Sequence, residues 1–145
     1  MLEDPDGSPR VEIRVPKLRL DDYEVHNVGF IKIDVEGHEL AVLQGSEQTI
    51  RASMPILLVE IEDRHRANTI SDTSAFFAEL GYEGFFLLDC EVLSFALFDK
   101  NVHQDPANIG GWKENWVRSG TYVNNFFFLP VGSGSILRNA AMSLK

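Results

Sequence analysis

Apolar and charged residues alternate along Val11-Glu12-Ile13-Arg14-Val15, a period of two that predicts a short half-exposed strand before Pro16. Ahead of it, residues 1–10 are polar and rich in turn formers, a lead-in rather than an element. Leu18 to His26 fits a helical turn or a loop equally well. Val28-Gly29-Phe30-Ile31-Lys32-Ile33-Asp34-Val35 is then nearly continuous in apolar and β-branched residues. Such a run predicts a strand covered on both faces, as in a parallel sheet. From His38 to Ser53 the period becomes helical, with Leu40, Leu43 and Ile50 on one face; Gly45 weakens that helix and Pro55 ends it.

Ile56 to Ile61 repeats the buried-strand pattern and ends in acid. A further helix carries Phe76, Phe77 and Leu80, with Thr69 or Ser71 as its cap and Gly81 at its C′ position. Phe85 to Leu88 and Leu93 to Phe98 flank Asp89-Cys90-Glu91, the pattern of a hairpin. Residues 99–121 read as loop, with Trp112 and Trp116 at i, i+4 spacing, suited to core packing or to covering a crevice. The last strand is Asn125 to Leu129, closed by Pro130, and 131–145 read as a Gly-Ser linker and tail. The order strand, helix, strand, helix, hairpin, strand predicts an α/β fold with a mixed sheet of four or five strands.

Composition narrows the classes. One domain fits 145 residues, and a formal charge of −9 argues against nucleic acid, which demands a basic footprint. The single cysteine, Cys90, allows no internal disulfide and has no evident base partner for nucleophilic work. No apolar run nears the roughly 20 residues of a spanning helix, and the acidic start lacks a secretory pattern. A soluble cytoplasmic protein without membrane contact is the expectation.

The string Phe30-Ile31-Lys32-Ile33-Asp34-Val35-Glu36-Gly37-His38-Glu39, followed by Leu43-Gln44-Gly45, resembles the signature of S-adenosylmethionine-dependent methyltransferases of the FkbM type. Leu20-Asp21-Asp22 is similar to the leucine-aspartate segment upstream of that signature. Pro55 to Glu60, Leu80-Gly81-Tyr82 and Asn124-Asn125-Phe126 follow the family's order for its fifth, sixth and last strands. The resemblance covers residues 28–129, the second half of the domain. It implies a partial Rossmann-like methyltransferase sheet over 11–130, with helices on its faces and an antiparallel C-terminal hairpin. No glycine-rich turn after an N-terminal strand is present to hold the methionine part of S-adenosylmethionine, so the chain reads as truncated. Gly132-Ser133-Gly134 is no substitute, for want of a strand-then-helix context.

In open α/β sheets ligands bind beyond the carboxyl ends of the strands. By that rule Asp34, Glu36 and His38 are the candidate catalytic residues, with His38 as a possible base and Asp34 also facing the cofactor. Glu60 and Asn125 are candidate substrate contacts, and Glu62 ends the same strand as Glu60. The structural alternative has Asp34 capping the next helix, Glu36 and Glu39 favouring its N-terminus, and His38 exposed. Lys32, within an apolar strand, calls for a carboxylate partner. His38-Glu39-Leu40-Ala41-Val42 is not HExxH, and no metal is assigned.

The resemblance implies O-methylation of a small-molecule or sugar acceptor. A second reading, from a different class, is a catalytically silent domain that pairs with itself or a complementing chain through an exposed sheet edge. A weaker third is a metal-assisted hydrolase on an unrelated α/β scaffold.

Overall fold

The computed structural model describes residues 13–109 and 120–143. The lead-in, Val11, Glu12, Trp112 and Trp116 lie outside the described residues. Among the described residues five strands form one sheet: β1 (Phe30–Ile33), β2 (Ile56–Glu60), β3 (Tyr82–Leu88), β4 (Glu91–Ser94) and β5 (Asn125–Pro130). Their spatial order is β1-β2-β5-β3-β4. Only the β1–β2 pair is parallel; β5 runs antiparallel between β2 and β3, and β4 closes an antiparallel hairpin with β3. The mixed α/β architecture agrees with the fold expected from the sequence.

The register explains the core. Ile31 lies beside Leu57, Ile33 beside Val59, and Val59 and Leu57 beside Phe126 and Phe128, so these residues share one face. Alternation along each strand puts the intervening residues on the other. The first face is sealed by α1 (Glu39–Gln44), α2 (Glu47–Ser53) and α3 (Thr69–Glu79), with Leu43, Ile50 and Phe77 buried against it. Phe77 stacks on Phe128 at 3.9 Å between ring centres. On the opposite face, α5 (Gly134–Met142) covers Phe85 and leaves the β1 end open. Phe30 is 54% exposed, so β1 is not covered on both faces as its composition predicts. It is an edge strand among the described residues, and its lysine sits on the open face.

Other departures have local causes. Ile13 and Val15 are each 77% exposed and belong to no strand. The segment Leu20–Tyr23 is a 3-10 turn. The helix expected over 38–53 breaks at Gly45-Ser46 because the 3-10 turn docks there. Asp21 donates its N–H to the Gly45 carbonyl at 3.1 Å, and its carboxylate accepts from the N–H groups of Gln48 and Thr49 at 3.1 and 2.9 Å. Asp21 thus caps α2 from 28 residues away. Asn68 is the residue before α3, in place of the expected Thr69 or Ser71, and Asp63 accepts the Ile70 N–H at 3.1 Å. Asp89 and Cys90, both with left-handed φ, make a two-residue hairpin turn. Phe95–Leu97 leave β4 for a 3-10 turn, where Phe95 and Phe98 pack on Phe126. The segment read as loop carries a short helix, α4 (Lys100–His103). The segment read as a Gly-Ser linker holds α5, which therefore does follow a strand and a glycine turn.

Candidate functional site

β1 and β2 run parallel, so their carboxyl ends lie at the same end of the sheet, and the amino end of antiparallel β5 joins them. Lys32 and Glu60 point to the open face in adjacent strands, and Asp34 follows two residues after Lys32. Lys32 Nζ is 3.1 Å from Asp34 Oδ2 and 3.8 Å from Glu60 Oε2. The lysine of the signature strand is thus paired with two acids, although it stands on the open face with its side chain 39% exposed.

Glu60 is held from its other side by Asn124, whose Nδ2 donates to Glu60 Oε1 at 2.6 Å and to Glu62 Oε1 at 3.3 Å. Asn125 lies beside Glu60 in the register but donates its amide to Asn124 Oδ1 at 2.9 Å. Its amide thus bonds to its neighbour and not to Glu60. Glu62 is 5% exposed. It accepts from Tyr122 Oη at 2.5 Å and from the Arg64 guanidinium through both oxygens. Burial raises its pKa, but the donors Arg64, Tyr122 and Asn124 outweigh burial and bring it down to about 2. Burial and the same contact raise the Tyr122 phenol, keeping it a neutral donor. Gln104 ties the neighbouring backbone together, donating to the Ile61 and Val123 carbonyls at 2.8 and 2.9 Å and accepting the Asp63 N–H at 3.1 Å.

After β1 the chain turns at Gly37, whose φ of +83° is a conformation that favours glycine. Its N–H donates to Glu39 Oε1 at 2.9 Å. Glu39 is 2% exposed, and its Oε2 has no hydrogen-bond partner among the described residues. Asp34, Glu36, Glu39, Glu60, Glu62 and His65 surround a small void of about 10 Å³. Asp34 and Glu36 form the exposed rim; Glu39 and Glu62 form the buried floor. On the outer side of Asp34 a groove of about 590 Å³ runs between β1, α1 and the segment 17–20, and His38 lines it.

The structure thus brings Asp34, Glu36 and Glu60 together around one crevice. His38 stands beside them in the groove, exposed at the start of α1, with no capping bond from its side chain. Among the described residues Asp34 makes no helix-capping bond, and its carboxylate accepts from Lys32. Sequence reasoning missed the buried positions of Glu39 and Glu62, and it missed Tyr122 and Arg64. Among the described residues, no three His, Cys, Asp or Glu side chains are grouped to hold a metal ion, and no helix is long and apolar enough to cross a membrane. The Gly132-Ser133-Gly134 turn lies at the opposite end of the sheet, because β5 is antiparallel to β2. There the Gly132 N–H donates to Glu83 at 3.1 Å, so a side chain of the protein already fills that turn.

Residues 2–83, more than half of the 145-residue chain, match the family model described as the Methyltransferase FkbM domain. The matched span includes the Asp21 cap, β1, the Gly37 turn, β2 and α3. No curated protein and no solved structure matches the chain.

Proposed function

Since the chain belongs to the FkbM methyltransferase family, we propose that it takes part in S-adenosylmethionine-dependent O-methylation of a small-molecule or sugar acceptor at the crevice beyond β1 and β2. The observation that carries this reading is the convergence of Asp34, Glu36 and Glu60 at the carboxyl ends of two adjacent parallel strands. Strand ends of this kind are where open α/β sheets bind ligands.

When bound, the cofactor supplies an electrophilic methyl group. Carboxylates at the strand ends suit its cationic and hydroxyl-bearing parts. A glycine-rich turn for its methionine part has no counterpart beside β1 among the described residues. The chain's own residues serve both ligands, with Asp34 facing the cofactor's positive charge as well as the acceptor. Asp34, set in place by Lys32, accepts a hydrogen bond from the acceptor hydroxyl, and Glu60, set by Asn124, holds a second hydroxyl. Asp34 or His38 then takes the proton from the hydroxyl as it is methylated, which requires an approach of about 3 Å. Glu36 on the rim adds to the negative field, and the buried Glu62 cluster keeps the Asn124–Glu60 contact rigid.

Calorimetric titration of the whole chain with S-adenosylmethionine tests this reading. Saturable binding that weakens about tenfold in Asp34→Asn is expected; absence of binding at millimolar cofactor would sink it. A second reading is favoured by one observation: β1 has a strand neighbour on one side among the described residues, and Phe30 is 54% exposed. In it, β1 accepts a strand from a second copy or a complementing chain. Light scattering that finds a monomer at all concentrations would remove self-pairing.

A further inference from the structure

We propose that the acidic crevice receives a primary ammonium group, and that the methyl acceptor is what supplies it, beside its hydroxyl, as an amino sugar or amino alcohol does. The acceptor part of this inference rests on the methyl-transfer reading; the ammonium site does not.

Five carboxylates, from Asp34, Glu36, Glu39, Glu60 and Glu62, line one void together with His65. Among the described residues Lys32 and Arg64 bond to members of the group, two cations against its five carboxylates. The independent observation is Glu39. It is 2% exposed, it lines this void, and its Oε2 meets no donor among the described residues. A buried acceptor of that kind costs free energy unless a ligand or water supplies the missing hydrogen bond. The void, about 10 Å³, is the size of one water molecule. An ammonium head is of similar size, brings three N–H donors and carries the complementary charge. A metal ion requires several inner-sphere ligands at fixed distance, and the described carboxylates are not so grouped. A quaternary ammonium is too large and has no N–H to give.

The test is an amide NMR titration of the whole chain with methylammonium chloride, at ionic strength held constant with sodium chloride. The reporter is the Gly37 amide, which donates to the other oxygen of Glu39. The expected result is a saturable shift with methylammonium and a response at least about tenfold weaker with tetramethylammonium. Glu39→Gln should weaken binding about tenfold or more. Glu36→Gln, on the exposed rim, leaves the fold intact and should weaken it severalfold. A methylammonium response no different from sodium chloride, which is the outcome if the void holds water only, overturns the site. So does tighter saturation by magnesium chloride, or affinity unchanged in both variants. Binding of methylammonium without faster methylation of free amines than of their N-acetyl counterparts overturns the acceptor class alone.

Discussion

Replacing Glu62 with Gln keeps the shape of the side chain and removes its charge from a site built of donors. One oxygen accepts from Arg64 Nε and Tyr122 Oη, the other from Arg64 Nη2 at 3.2 Å and Asn124 Nδ2 at 3.3 Å. A Gln amide offers one acceptor, so its NH2 must face donors on one side or the other. The native carboxyl sits at about 2 against 4.5 for the free group, because the donors outweigh burial. That gap corresponds to about 3 kcal/mol of stability. The half-exposed Arg64 places the figure toward the low end of about 2–4 kcal/mol. The sign follows from linkage: a folded pKa below the unfolded one gives stability that is complete above 4.5 and disappears as pH falls toward 2. Urea unfolding followed by far-UV circular dichroism, on wild type and Glu62→Gln, measures the difference. It should be about 2–4 kcal/mol at neutral pH, and roughly two thirds of it should have gone by about pH 3. A difference that is absent, or that stays constant down to that pH, refutes the assignment of Glu62 as an ionised hub.

Two further substitutions probe the scaffold. Asp21→Ala removes the bonds to the N-terminus of α2 and to the Thr49 hydroxyl at 2.8 Å, and should cost about 1–2 kcal/mol in denaturant unfolding. Because those bonds hold the Asp21 pKa below its ordinary value despite burial, its contribution is present above about 3.9 and is lost as pH falls below that. Gly84→Ala sets a Cβ 2.9 Å from Phe95 Cβ and 3.1 Å from the Phe128 ring. Thermal unfolding should show a loss of about 1–3 kcal/mol from overpacking; an unchanged midpoint would mean that Phe95 moves aside.

The signature strand, β2, the β3–β4 hairpin and the last strand are legible because continuous apolar runs and turn residues mark them directly. Composition could not tell that β1 is bare on one face. Phe30 and Ile31 look equally apolar, and the cover over each depends on which helices the chain supplies. The break between α1 and α2 is hidden for another reason. Gly45 signals weakness, but the capping group is Asp21, brought there by tertiary contact. α5 was masked by its glycine and serine start. In the site, Asp34, Glu36 and Glu60 follow from the strand-end rule, since ligands gather where strands stop. Glu39 and Glu62 look like solvent-facing acids in sequence, and only the packed structure shows them as the floor. Tyr122 and Arg64 reach that floor from loops, with no periodicity to announce them.

Whether the functional site lies beyond the carboxyl ends of β1 and β2 is decided by cofactor-dependent hydrogen exchange across the whole chain. S-adenosylmethionine should slow exchange in the segments 34–39 and 60–65 and leave the 131–134 turn unchanged. Protection confined to that turn, or absent from both strand ends at saturating cofactor, would contradict that placement.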